Sequence, residues 1–199
     1  MNILFLIMAY LVGSIPFSYI IPKLMTGMDV RQYGSKNVGA SNAVYTTNFK
    51  VGVFCFIGDF FKGFIVYFTA FQIMHLNNFY VILGSLLVIA GHNWSIFLKF
   101  KGGKGIATAW GVMAASNPIA GILFFVFSAL VTLTTKYIGL GNVVSIFMVY
   151  AVSFFDFLRI DTKLIFFIFI LILPKHIENF VKIYNGTELK INARLGKDE

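Results

Sequence analysis

Residues 51–74 read Val-Gly-Val-Phe-Cys-Phe-Ile-Gly-Asp-Phe-Phe-Lys-Gly-Phe-Ile-Val-Tyr-Phe-Thr-Ala-Phe-Gln-Ile-Met, an apolar run in which Asp59 and Lys62 are the sole charged side chains. A helix needs roughly 20 apolar residues, at about 1.5 Å rise each, to cross a bilayer, and this run is long enough. Asp59 and Lys62 stand three apart and share a helix face, so each neutralises a charge that would be costly alone in lipid. A structural ion pair is the expected role of both.

Working outward, comparable runs occupy about 3–22, 79–98 and 118–135, and shorter ones 141–157 and 163–174, parted by the polar turn Asp156 to Asp161. The run 106–115 ends at Ser116-Asn117-Pro118 and is only about half a membrane long. Short helices of that kind line cavities in membrane proteins, because their free N-terminal N–H groups can face a ligand. Composition agrees with lipid as the solvent: 58% of the residues are hydrophobic, 12% are charged, and 24 are Phe. The expected fold is all-α, an integral membrane bundle of about seven transmembrane helices, in a single domain over 1–199. No internal repeat or soluble domain is visible, and the expected appendage is the basic tail Lys182 to Glu199. The first run lacks the basic flank and small-residue cleavage site of a signal peptide, so it is expected to be retained.

The net charge of +8 does not lie along a soluble face, so nucleic acid is not an expected partner. With the N-terminus outside and the C-terminus in the cytoplasm, segments 23–50, 99–105, 136–140 and 175–199 collect thirteen of the sixteen Lys and Arg residues. That asymmetry satisfies the positive-inside rule. Cys55 stands alone in an apolar run, which leaves no internal disulfide or thiolate metal site.

Three polar segments then fall on the cytoplasmic side. The first, Gly34-Ser-Lys-Asn-Val-Gly-Ala-Ser-Asn42, sets Gly39 among the donors Ser35, Asn37, Ser41 and Asn42, which suits a phosphate nest, although an ordinary polar loop reads the same way. The second carries Lys101-Gly102-Gly103-Lys104-Gly105 directly before a helical run. Glycines followed by a helix start bring N–H groups and the positive dipole end to one point, where Lys104 adds a full charge. It is not a Walker A loop, because Leu98 replaces the first glycine and Gly105 the Ser or Thr. The third, Lys175-His176-Ile-Glu-Asn179, spaces His176 and Asn179 to share a helix face, with His176 able to meet phosphate as a cation or to act as a base.

Absences narrow the chemistry. No Gly-x-Ser-x-Gly elbow, His-Glu-x-x-His pair or cysteine cluster is present, so no metal or cofactor is expected. A His-x4-Asp acyltransferase motif is also missing, since Tyr80, Phe97 and Val181 stand at that distance from His75, His92 and His176.

Taken in order, Gly13-Ser14-x-Pro16, the 34–42 segment, Asp59-x-x-Lys62-Gly63, Gly91-His92, the Lys101 glycine run, His176-x-x-Asn179 and Gly186-Thr187-Glu188 resemble the acyl-phosphate-dependent glycerol-3-phosphate acyltransferases of bacteria. The resemblance spans nearly the whole chain. It implies a seven-helix enzyme of the bacterial cytoplasmic membrane with its active site facing the cytoplasm. It further implies transfer of a fatty acyl group from acyl phosphate to glycerol 3-phosphate, giving lysophosphatidic acid, with a peripheral phosphate acyltransferase supplying the donor. Ser35 and Asn37 would orient the reacting groups, Lys104, Gly102, Gly103 and Gly105 bind phosphate with Gly39, Ser41 and Asn42, and His176 with Asn179 hold a substrate phosphate. The chain departs from the family's usual residues at Tyr45 (arginine), Lys36 (glycine) and Gly139 (serine). The alternative class is a transporter of a phosphorylated metabolite, for which broken helices and cationic cavities are equally suited.

Overall fold

A computed structural model describes residues 2–191, and the predicted basic tail from residue 192 onward lies outside them. The described residues are helical, with no strand. The ten α-helices are α1 (Asn2–Ser14), α2 (Phe17–Thr26), α3 (Ala40–Thr46), α4 (Phe49–Phe68), α5 (Asn78–Asn93), α6 (Ile106–Ser116), α7 (Pro118–Thr135), α8 (Ile138–Val152), α9 (Thr162–Ile172) and α10 (Ile177–Tyr184). Among these residues five continuous helical runs are long and apolar enough to cross a membrane: Asn2–Thr26, Phe49–Ile73, Asn78–Leu98, Pro118–Thr135 and Thr162–Tyr184. Ile106–Ser116 and Ile138–Val152 are shorter apolar helices. The predicted run 163–174 is thus the first half of a longer one, which continues through the 3₁₀ turn Leu173–His176 into α10.

Helix starts follow from side chains that accept from otherwise orphaned N–H groups. Asn48 accepts from Val51 N at 3.0 Å, Asn117 from Ile119 N at 2.8 Å, and Asp161 from Leu164 N at 3.0 Å. Pro118 directly after Asn117 occupies the first turn of α7, where its missing N–H costs nothing.

The first expected span is interrupted. Pro16 cannot donate to Val12, whose carbonyl instead takes Ile15 N at 3.2 Å, and the chain restarts as α2. The break releases two carbonyls that lipid could not satisfy, and side chains from elsewhere meet them. Ser95 Oγ donates to Ser14 O at 2.5 Å, and Lys62 Nζ to Ile15 O at 3.0 Å.

The helices gather into two compact units, residues 1–112 and 113–199, each with its own packing. In the first, α1 lies against α5, and α4 against α2, α3 and α5. Small residues set these approaches, as they must where burial between helices gains nothing over lipid. A Cβ on Gly13 of α1 would run into Val88 O of α5, and one on Gly91 of α5 into Tyr10 O of α1. The same reciprocity joins α4 to α6, with Gly63 against Thr108 O and Gly111 against Phe60 O. In the second unit α7 and α8 form a hairpin that turns at Lys136 (φ 69°), and α9 covers α8. Large apolar side chains such as Phe54, Ile65, Ile122, Leu130 and Leu133 face outward, as helices bathed in acyl chains require.

Gly111→Ala is expected to destabilise the protein by about 1–3 kcal/mol, because its methyl group meets backbone that cannot yield. Gly84→Ala should cost less, since its methyl meets the far edge of the Phe5 ring. Thermal unfolding of both variants in detergent checks the ranking.

Candidate active site

The first polar segment is built around one amide. Asn42, at the start of α3, accepts from Ser35 N at 2.9 Å and donates to Val30 O, Asn37 O and Tyr33 O at 2.8, 3.1 and 3.2 Å. All polar atoms of its side chain are therefore engaged in folding 30–42 into a closed loop, which rests on the apolar cluster Val30, Ala43, Val51 and Cys55. Gly34 and Lys36 both adopt left-handed backbone, at φ 58° each. A lysine there bears a strain that glycine would not, which accounts physically for glycine as the family's usual residue at position 36. Ser35 and Asn37 are half-buried, Lys36 is exposed, and the exposed Tyr45 ring lies over Gly34. At the base of the loop the Arg31 guanidinium bonds Asp29 at 2.7 Å and holds that carboxyl below the usual carboxylate range.

The glycine run is seated on the end of α5. Lys99 and Phe100 are both left-handed, at φ 53° and 62°, and turn the chain back so that Gly103 N donates to His92 O at 3.0 Å. Gly102 and Gly103 are required there by close approach: a Cβ on Gly102 would strike His92 O, and one on Gly103 would strike both His92 Nε2 and Val38 O. Val38 belongs to the first loop, so Gly103 is where the two loops of this unit meet. Gly105 turns at φ 79°, and α6 begins at the next residue. Lys104 is half-buried between those two glycines.

Beneath this seam Asp59 and Lys62, 1% and 3% exposed, form the expected ion pair at 2.9 Å. Ser18 Oγ donates to the other carboxylate oxygen at 2.5 Å. A third member, His92, stands with Nδ1 2.8 Å from Lys62 Nζ and 3.3 Å from Asp59 Oδ1. The sequence offered only the Gly91-His92 dipeptide as a sign of it; a link across thirty positions leaves no local spacing to read.

In the second unit His176 and Asn179 are both buried, His176 closing the 3₁₀ turn Leu173–His176 and Asn179 in α10. His176 Nδ1 lies 3.1 Å from Ile172 O, an atom that can only accept, so Nδ1 carries a proton. Asn179 Nδ2 donates to Glu188 Oε1 at 2.8 Å, a positioning contact that the spacing of the motif did not disclose. Gly139 packs directly on the Asn179 carboxamide, where a serine Cβ would sit 3.0 Å from its Cγ.

Comparison with known proteins agrees along the length of the chain. The family model described as glycerol-3-phosphate acyltransferase matches residues 3–186. A glycerol-3-phosphate acyltransferase of Thermotoga petrophila is 40% identical over 190 residues, covering 95% of this chain and 96% of that one. Glycerol-3-phosphate acyltransferase 2 of Bacillus anthracis is 39% identical over 193 residues, covering 96% and 100%. The crystal structure of PlsY (YgiH), an integral membrane glycerol 3-phosphate acyltransferase, in its glycerol 3-phosphate form, superposes with a TM-score of 0.88 at 33% identity, over 95% of this chain and 94% of that one. Its lysophosphatidic acid form gives 0.86 at 31% identity.

Two substitutions in the first loop should move stability in opposite directions. Asn42→Ala strips the loop of its four hydrogen bonds and is expected to cost about 1–3 kcal/mol while exposing 30–39 to protease. Lys36→Gly relieves the left-handed lysine and should gain about 1 kcal/mol. Melting curves and limited proteolysis report both.

Proposed function

This chain belongs to the glycerol-3-phosphate acyltransferase family, and from that premise we propose that it transfers a fatty acyl group from acyl phosphate to glycerol 3-phosphate, releasing lysophosphatidic acid and phosphate. The observation that carries the reading is the glycine run 101–105, folded back on α5 with Lys104 between two glycines and a helix starting immediately after. Such a bend offers backbone N–H groups, a helix dipole and one full charge to a phosphate.

An acyl phosphate is already activated, so the protein's contribution is alignment and charge stabilisation. The glycerol hydroxyl oxygen attacks the acyl carbonyl carbon, the bond from that carbon to the bridging oxygen breaks, and phosphate leaves with the electron pair. The departing phosphate accepts the hydroxyl proton, which removes the need for a protein base. Lys104, Gly102, Gly103 and Gly105 bind a phosphate, Ser35 and Asn37 orient the reacting groups, and Gly39, Ser41 and Asn42 shape the loop around the anion. His176 and Asn179 bind a substrate phosphate. The 199 residues act as one enzyme in the bacterial cytoplasmic membrane, N-terminus outside, with the chemistry on the cytoplasmic side, where the Lys and Arg residues of the loops collect. A peripheral phosphate acyltransferase delivers the donor there.

Lys104→Ala and Lys104→Gln should each nearly abolish transfer while the protein still inserts and folds, because they remove the charge proposed to face phosphate. Acyl-CoA and acyl carrier protein should fail as donors, since neither thioester leaving group brings the phosphate. Lysophosphatidic acid formed efficiently from either thioester would overturn the donor assignment. Tyr45→Arg, made alone and together with Lys36→Gly, should lower the Michaelis constant for one phosphorylated substrate by the value of a charge-assisted contact, about 1.5–3 kcal/mol. Steady-state kinetics with no gain in either background would place position 45 away from substrate.

A further inference from the structure

The roles proposed above leave a buried charged cluster unused: Asp59, Lys62 and His92. Its hydrogen-bond arithmetic fixes more than charge balance. An ammonium has three N–H donors and no acceptor. Lys62 Nζ stands 2.9 Å from Asp59 Oδ1, 3.0 Å from Ile15 O and 2.8 Å from His92 Nδ1. The ammonium donates to Ile15 O and pairs by charge with the Asp59 carboxylate, and at 2.8 Å from Nδ1 a group without a lone pair can only donate there, so Nδ1 presents its own lone pair. Asp59 Oδ1, 3.3 Å from Nδ1, would welcome a proton there, but that proton would collide with the ammonium. The single N–H of the neutral ring is therefore on Nε2.

That nitrogen faces the seam between the two loops. His92 Nε2 and Val38 O each lie 2.2 Å from the point that a Cβ on Gly103 would occupy, so the two atoms are at most twice that distance apart across the glycine. With the opposite tautomer two lone pairs would face each other at this place and push loop 34–39 away from the run 101–105. We propose that Lys62 locks His92 in the Nε2–H tautomer and that His92 is thereby a positioning residue, holding the two loops together for the phosphate that they bind. The second half of this statement rests on the function proposed above; the first does not.

Ring nitrogen shifts of protein labelled with ¹⁵N-histidine, recorded in detergent micelles, read the tautomer directly. His92, identified by the signals lost in His92→Asn, should be protonated on Nε2 alone, whereas His176, with Nδ1 on a backbone carbonyl, should carry its proton on Nδ1. A proton on Nδ1 of His92 would overturn the proposal. Kinetics separate positioning from simple support of Lys62. His92→Gln places its amide where Nε2 was, and His92→Asn where Nδ1 was. The glutamine variant should keep the Michaelis constant for glycerol 3-phosphate within about threefold, while the asparagine variant raises it about tenfold, the size of one neutral hydrogen bond, with a smaller change in turnover. The reverse ranking would mean that His92 serves only to accept from Lys62, and the positioning role would fall. If neither variant folds, the nitrogen spectrum of the parent protein decides, with the His92 signals assigned as those that persist in both His75→Asn and His176→Asn. A parent protein that transfers nothing from acyl phosphate would defeat the donor reading and leave that spectrum untouched.

Discussion

Pro16 removes a backbone donor inside an apolar segment where no water can replace it, and the first unit of this protein is organised around the consequence. Lipid tolerates a broken helix only where other protein groups satisfy the freed carbonyls. Ser95 takes up Ser14 O and Lys62 takes up Ile15 O. Lys62 is a buried cation and needs Asp59, and its ammonium also lies 2.8 Å from His92 Nδ1. The backbone of the same His92 receives Gly103 N, which sets the glycine run in place. A break in one helix is thereby connected, bond by bond, to the loop proposed to hold phosphate.

The two loops of this unit are shaped by opposite means. Loop 30–42 is closed from within by a single side chain, Asn42, whose amide spans four backbone groups. Run 101–105 has no such centre and is shaped by the close fit of two glycines against α5, by left-handed Lys99 and Phe100 before it and by left-handed Gly105 at its end. Substitution in the first is expected to loosen it, and substitution in the second to push it off its seat.

Much of the fold was legible because a bilayer demands long apolar runs, and α7 was readable almost to the residue from Asn117-Pro118 and the apolar stretch that follows. Breaks were harder. Pro16 was visible, but a helix can resume one residue later, and the run from 3 to 22 read as unbroken. Helix α3 has seven residues, too few for periodicity to separate it from the polar loop around it. The division at Val112 and Met113 falls inside the apolar helix α6, where composition does not change. In the site, Asp59 and Lys62 were readable as a pair from spacing alone, whereas His92 and Glu188 work through contacts that close only in three dimensions. Asn42 was readable as important but not in its manner: the sequence offered a donor to phosphate, and the fold engages the whole amide in the loop.

A protein that only aligns two phosphorylated substrates needs neither a nucleophile nor a base, and the mechanism is then defined by which bond breaks. Acyl phosphate labelled with ¹⁸O in the bridging position, mixed with the purified protein and glycerol 3-phosphate, follows that bond by mass spectrometry. Attack at the carbonyl carbon predicts unlabelled lysophosphatidic acid and inorganic phosphate carrying the heavy oxygen. No lysophosphatidic acid, or label retained by the acyl group, would contradict acyl transfer from this donor.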